Sequence, residues 1–118
     1  MKGFSGFPAK SKYTPIPNIF FSDILPEIDD PVELKVTLHI LWVLYQKRGY
    51  PRFVTFDELI SDPVLIRGLR GEDGESSPLR QGLTEAVSRG TILCLKLERD
   101  GEAHELYFMN TDAARRAI

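Results

Sequence analysis

The chain has little of what disulfides, metal sites and membrane spans require. Among its 118 residues are one cysteine, Cys94, and two histidines. A single cysteine forms no internal disulfide, which is typical of a protein from a reducing, cytoplasmic compartment. The longest apolar stretch, HILWVLY, is far too short to span a bilayer, and the N-terminus lacks the apolar core of a signal peptide. We therefore expect a cytoplasmic protein with no membrane partner.

The chain also lacks the residue patterns of an active site. His39 lies in a mostly apolar stretch, where a core or rim position is the better interpretation, and His104 lies beside acidic residues. Cys94 has no neighbouring base, and the acidic residues around Asp30 do not have the spacing of a metal-binding loop. A glycine-rich phosphate-binding loop is also missing. The sequence predicts no enzyme activity, no metal and no cofactor.

Positive charge is not in excess. The formal net charge is −2, with 15 Lys+Arg against 17 Asp+Glu. This balance argues against a protein that coats nucleic acid non-specifically, but it is compatible with a local basic patch. Hydrophobic residues make up 42% of the chain, which at this length is typical of one small globular domain.

Residues 1–17 are predicted to form a flexible arm that is both basic and aromatic. The arm has three lysines and no acidic residue, so it predicts contact with DNA phosphates, above all through Lys10 and Lys12. Its aromatic side chains can also stack on bases. The other interpretation is packing on a second subunit, because a small domain gains from burying apolar residues. The self-association candidates are Ile16, Ile19, Phe20 and Phe21.

Helix-start signals follow the arm. A short amphipathic helix is predicted between Pro17 and Pro26. The next helix is predicted to begin after Asp30, with Pro31 at its first position and Glu33 completing a capping box. Lys47 and Arg48 are expected in its last turn and Gly49 at its end. One face is predicted to carry Leu34, Leu38, Leu41 and Tyr45, and further apolar residues widen this stripe almost all round, as in a central helix.

The middle of the chain predicts short elements. RFVT (52–55) is β-prone, and Thr55 with Glu58 forms a second capping box. Asp62 is expected to cap a further short helical stretch, and RGEDGESS (70–77) to form a loop.

A third helix is predicted from Pro78, capped by Ser77, to Gly90. Its buried stripe consists of Leu79, Leu83, Ala86 and Val87. Arginine and glutamine can read guanine and adenine edges when such a helix enters the major groove. The DNA-binding candidates on this helix are therefore Arg80, Gln81, Thr84 and Arg89. The alternative is that they are ordinary surface residues.

SRGTILCLKLERDGEAHELYFMN (88–110) predicts a hairpin about Asp100–Gly101. With a two-residue turn, two pairs of opposite charge and two apolar pairs face each other, which fixes the register. These pairs are Arg99 with Glu102, Lys96 with Glu105, Leu95 with Leu106, and Leu93 with Phe108. The hairpin carries two positive and four negative charges, so we expect it to support the third helix and not to follow a phosphate backbone.

The order of helix, short strand, two helices and hairpin predicts the fold. We expect an α+β, mainly α, winged helix-turn-helix with an N-terminal extension and a two-stranded wing. Residues 18–110 are the predicted winged-helix domain. Residues 111–118 are the start of a further helix, capped by Asn110 or Thr111.

Several stretches together resemble one family. YTPIPNIFFSDILPEIDDPVELKVTLHILWVLYQKRGYPRFVTFDEL resembles the N-terminal region of DnaD-type bacterial primosomal proteins. AVSRGTILCL and LYFMNT are similar to that family's third helix, wing and following segment, so the resemblance covers most of residues 13–112. It implies a role in replication initiation, self-association through the N-terminal segments, and contact with other replication-initiation proteins.

The resemblance also implies what to expect beyond these residues. In the family, DNA binding belongs largely to a separate C-terminal helical domain with a Tyr…Ile…Trp signature. The only tryptophan here is Trp42, in the first long helix. We therefore expect the chain to be an N-terminal part of a longer protein.

Two functions remain after the sequence is considered. The first is a winged-helix module in replication initiation that acts by self-association and weak or assisted DNA binding. The second is a transcription regulator that reads operator DNA through Arg80, Gln81 and Thr84. In a regulator dimer the two third helices would lie about 34 Å apart.

Overall fold

A computed structural model describes residues 3–69 and 77–118. Met1, Lys2 and residues 70–76, which make up most of the predicted loop, lie outside the described residues. The architecture combines helices with one antiparallel sheet, so the predicted α+β class is confirmed. The N-terminal segment has a π turn (Phe20–Ile24) and a 3₁₀ turn (Leu25–Glu27). The other elements are α1 (Pro31–Gln46), β1 (Val54–Thr55), α2 (Phe56–Ile60), α3 (Pro63–Gly68), α4 (Ser77–Arg89), β2 (Ile92–Arg99), β3 (Glu102–Met109) and α5 (Asp112–Ala117).

The start of α1 follows the sequence only in part. The Asp30 side chain accepts a hydrogen bond from the Val32 N–H at 2.9 Å, and Pro31 occupies the first turn. The predicted capping box is wrong, because the Glu33 side chain is buried and binds Arg89 instead. A capping glutamate must fold back over the helix start, whereas Glu33 points towards α4.

The end of α1 also differs from the prediction. The helix ends at Gln46, so Lys47 and Arg48 are not in its last turn and Gly49 lies beyond it. Lys47 has an extended backbone, and its ammonium binds the carboxylate of Glu58 on α2. Arg52 places a positive charge at the C-terminal end of α1 instead, because its Nη1 donates to the Tyr45 carbonyl at 3.2 Å.

The short helices begin as predicted, whereas the strand predicted over 52–55 is limited to Val54–Thr55. Thr55 Oγ1 accepts from the Glu58 N–H at 3.1 Å, and Glu58 Oε1 accepts from the Thr55 N–H at 3.1 Å, so this capping box is confirmed. Asp62 caps α3 by accepting from the N–H groups of Val64 and Leu65. Of the two candidate caps for α5, Thr111 is the one that accepts from a backbone N–H of the helix.

The hairpin has the predicted register. Arg99 faces Glu102 and Lys96 faces Glu105, and both apolar pairs are also confirmed. Asp100 and Gly101 have φ angles of 54° and 79°, which suits the turn type that joins two antiparallel strands most tightly. The strand order is β1-β3-β2, with Val54 opposite Tyr107, so β2 lies at one edge of the sheet.

The core lies between α1, α4 and the sheet. The predicted stripe of α4 is confirmed, with three of its four residues buried and Val87 packed beside them. On α1 the buried stripe is centred elsewhere, because Leu34 and Leu38 are half-buried and Tyr45 is exposed. The buried core residues of these elements include Val36, Ile40, Leu44, Leu79, Leu83, Ala86, Ile92 and Tyr107. Within the described ranges, no helix has the length and apolar character needed to cross a bilayer.

Gly82 allows α1 and α4 to approach each other closely. A Cβ atom at this position would lie 2.7 Å from Val36 Cγ2 and 3.3 Å from the Val32 carbonyl oxygen. Both distances are shorter than ordinary van der Waals contact. The Val32 oxygen belongs to the helix backbone, so it cannot move away by a change of rotamer. The absence of a side chain at Gly82 therefore sets the spacing of the two central helices.

We expect Gly82→Ala to destabilise the protein by about 1–3 kcal/mol, since an added methyl group forces α1 and α4 apart. Gly68→Ala is the matched control, because a Cβ at Gly68 would meet no atom within 4 Å. Urea unfolding monitored by circular dichroism measures both free energies of unfolding. Equal stability of Gly82→Ala and Gly68→Ala would contradict the close approach.

Candidate nucleic-acid interface

Arg89, at the end of α4, is held by a buried carboxylate. Its Nε donates to Glu33 Oε2 at 2.5 Å and its Nη2 donates to Glu33 Oε1 at 2.9 Å. Glu33 is 1% exposed, whereas about 29% of the Arg89 side chain reaches solvent. The hydrogen bond with Glu33 raises the pKa of Arg89. This two-pronged ion pair joins the start of α1 to the end of α4 and neutralises the arginine.

Arg80, in the first turns of α4, is also held within the chain. Its Nη1 donates to Glu105 Oε1 at 2.5 Å, and its guanidinium carbon lies 4.0 Å from the centre of the Phe56 ring. Tyr107 donates its hydroxyl hydrogen to the same Glu105 oxygen at 3.1 Å. Burial opposes the charge on Glu105, but the hydrogen bond and charge of Arg80, together with the Tyr107 hydroxyl and Lys96, lower the pKa of Glu105. Arg80 thus ties α4 to α2 and to β3.

The other two candidates on α4 remain at its surface. Gln81 and Thr84 are exposed. The Thr84 hydroxyl donates to the Arg80 carbonyl at 2.9 Å, a bond within the helix. Gln81 is the candidate whose side-chain amide makes no hydrogen bond to any described residue, and it stands free to meet a base edge.

Acidic groups surround the far end of α4. Glu85 lies near Asp30 and Glu33 of the first helix, and its Oε1 is shielded from solvent without a donor among the described residues. The neighbouring Asp30 carboxylate, burial and Glu33 raise the pKa of Glu85, although Arg89 acts in the opposite direction. A phosphate group approaching this end of α4 would meet negative charge as well as positive.

The described part of the N-terminal arm carries two lysines. Residues 3–17 run without regular secondary structure, and Lys10 and Lys12 are exposed. Neither lysine forms an ion pair with any part of the chain that the structure describes. Phe4 and Phe7 pack edge to face, with ring centres 4.8 Å apart, and Tyr13 is exposed.

Comparison with protein-family models, curated proteins and solved structures found no match.

The four self-association candidates fall into two groups. Phe20 is 4% exposed and lines a cleft of about 230 Å³ with Thr37 and Leu41, so it packs inside the chain. Ile19 and Phe21 are 59% and 52% exposed, and Ile16 is half-buried. The last three are placed where a second molecule can reach them.

Two further aromatics are exposed, although the sequence pattern made neither a candidate for the site. Trp42 and Tyr45 of α1 are 43% and 50% exposed. They continue the helical spacing of the half-buried Leu34 and Leu38, which places all four on one partly exposed side of the helix. This spacing is present in the sequence. Because apolar residues lie almost all round this helix, however, the sequence does not show which side is exposed.

The residues considered for chemistry have structural partners. His39 Nε2 lies 2.7 Å from Asp62 Oδ2 and its ring meets Trp42 edge to face, which agrees with a rim position. Burial raises the pKa of the Cys94 thiol, which lowers its reactivity. Across the described ranges, no three His, Cys, Asp or Glu side chains converge as a metal site would require.

We expect Glu85→Gln to raise the melting temperature at pH 7. The folded-state pKa of Glu85 lies above its ordinary value of 4.5, so its contribution to stability is present below that value and is lost as pH rises through the folded pKa. The amide keeps the neutral form at every pH, so variant and wild type should converge near pH 3.

Calorimetry at both pH values provides the measurement, with Glu98→Gln at the exposed end of β2 as control. A Glu85→Gln protein that melts below wild type at pH 7 would show that Glu85 contributes chiefly as a partner of Arg89.

Proposed function

We propose that this chain is a winged-helix module of a replication-initiation protein, acting by self-association with weak or assisted DNA contact. The element order and the β1-β3-β2 sheet support the winged-helix assignment, with α4 in the recognition position and the β2–β3 hairpin as the wing. The resemblance to DnaD-type proteins over residues 13–112 supports the replication role. One observation supports the proposal that DNA contact through α4 is weak: both arginines of α4 bind carboxylates of their own chain.

Base reading by either arginine of α4 would require breaking its ion pair. An arginine reads guanine by donating two parallel hydrogen bonds. Arg89 already donates two hydrogen bonds to Glu33. Withdrawing it would leave the Glu33 carboxylate buried without a counter-charge, which is strongly unfavourable. Arg80 is likewise restrained by Glu105 and by the Phe56 ring.

The arm is the better source of DNA affinity. Lys10 and Lys12 are exposed and carry no carboxylate partner in the described chain, so binding a phosphate breaks no internal contact. Contacts of this kind depend on salt and not on sequence. The acidic hairpin tip, with Glu98, Asp100 and Glu102, repels the same phosphates.

Exposed apolar groups near the arm support self-association. Ile19 and Phe21 lie beside Phe20, which anchors this segment to the body of the domain. Because Phe20 fixes the segment, a second molecule binding to Ile19 and Phe21 need not order a flexible chain.

A transcription regulator is the second candidate. Its support is the exposed Gln81 amide, which makes no hydrogen bond to the described residues and has the donor and acceptor geometry for adenine. This function requires sequence-specific binding and a dimer with its two α4 helices about 34 Å apart.

For DNA binding, we expect Lys10→Ala/Lys12→Ala to weaken the affinity equally for all sequences. The slope of log affinity against log salt should fall by about two, since each lost phosphate contact contributes about 0.9. Fluorescence anisotropy over a salt series measures this slope. Arg80→Ala and Gln81→Ala serve as matched controls and should retain binding. Loss of binding in either control, with the lysine variant unaffected, would favour the regulator.

For self-association, we expect Ile19→Ser/Phe21→Ser to lower the average mass at a given concentration, because two exposed apolar side chains leave the contact surface. Val64→Ser on α3 removes a similarly exposed apolar side chain elsewhere and should leave the mass unchanged. Sedimentation velocity compares the three proteins. Equal masses for all three would rule out the N-terminal segment as an association surface.

A further inference from the structure

The β2 strand has an unpaired outer edge. It lies at the end of the β1-β3-β2 sheet, and within the described part of the chain its strand partner is β3 alone. In the two-residue turn the Arg99 carbonyl faces the Glu102 N–H, so these two residues form a hydrogen-bonded pair. Hydrogen-bonded and non-hydrogen-bonded pairs then alternate along the ladder. Leu97 and Leu95 bond to β3, whereas Glu98 and Lys96 turn their N–H and carbonyl groups outward.

These outward groups have no backbone partner within the described ranges. The half of β2 nearest the turn, from Lys96 to Arg99, is exposed. An exposed strand edge of this kind is a template on which another strand can pair. Proteins usually protect such an edge with charged residues, and the arrangement of charges decides what the edge can accept.

The charges on this edge are self-complementary. An antiparallel pairing between two copies of β2 must join residues whose backbone groups point outward. Placing Lys96 opposite Lys96, or Glu98 opposite Glu98, brings like charges together and is unfavourable. In a third register, Lys96 of each copy faces Glu98 of the other. This register forms two pairs of opposite charge, one on each side of the two-fold axis that relates the copies. A register in which Lys96 meets Cys94 compensates no charge.

The favourable register also places an apolar residue at its centre. When Lys96 faces Glu98, Leu97 faces Leu97 of the second copy in a non-hydrogen-bonded pair, where side chains lie closest. Leu97 is 46% exposed. Pairing would cover it, and the half-buried Leu95 lies on the same face of the sheet.

We propose that β2 of a second copy of this chain pairs antiparallel with β2, about a two-fold axis at Leu97. The two three-stranded sheets would then form one continuous sheet of six strands. The interface is isologous, as in most homodimers. It uses neither the arm nor Ile19 and Phe21, so a chain with both surfaces could extend into a longer assembly.

A charge exchange tests the pairing. Lys96→Glu and Glu98→Lys each place two like-charge pairs across the interface, and we expect each to weaken dimerisation at least tenfold. The double variant restores two opposite-charge pairs with their signs reversed and should recover the wild-type dimerisation constant. Glu102→Lys makes the same charge change on β3, away from the edge, and should have no effect. Sedimentation equilibrium measures all five proteins.

Covalent trapping tests the register. In a Cys94→Ser background, Leu97→Cys should form an intermolecular disulfide under mild oxidation, because only this register brings position 97 opposite itself. Leu95→Cys is the matched control on the same face and should remain uncrosslinked. Crosslinking through position 95 and not 97 would overturn the register, and failure of the double charge variant to recover would overturn the pairing.

The outcomes separate this interface from the N-terminal one. If only the hairpin pairs, charge variants become monomeric and Ile19→Ser/Phe21→Ser has no effect. If only the N-terminal segment associates, the charge variants have no effect and the pairing is refuted. If both operate, each set of variants leaves a dimer and their combination leaves a monomer.

Discussion

The ion pair between Glu33 and Arg89 is the contact on which the rest of the structure depends. It joins the first turn of α1 to the last turn of α4, the two helices that enclose the core. A carboxylate as buried as that of Glu33 requires a counter-charge, so Arg89 is retained inside the chain. The same pair holds α4 in place across the close contact at Gly82 and removes a positive charge from the surface where DNA would dock. The contact that joins the two helices therefore also limits the free positive charge on α4.

The elements with local signals could be predicted from the sequence. The turn at Asp100–Gly101 fixed the hairpin register, and Thr55 with Glu58 marked the start of α2. Glu33 carried an equally good local signal for a capping box but pairs with Arg89, which is 56 residues away. Local patterns cannot show which of two uses a carboxylate has when its second partner is distant in the sequence.

The same limit applies to the candidate site. Arg80 was correctly placed near the start of the third helix, but its contacts with Glu105 and Phe56 come from two other elements. The sequence likewise grouped Phe20 with Ile19 and Phe21, and only the packing separates the buried residue from the exposed ones. Lys10 and Lys12 were easier to assess, because an arm without acidic residues has no nearby partner to neutralise them.

The central claim is that DNA contacts the arm and not the exposed face of α4. Nuclear magnetic resonance titration of the ¹⁵N-labelled chain with a short duplex tests this claim most directly. The account predicts shifts at the amides of residues 3–17, independent of DNA sequence and reduced by salt, with the amides of Gln81 and Thr84 unmoved. Sequence-dependent shifts centred on Gln81 and Thr84, with the arm amides unchanged, would contradict it.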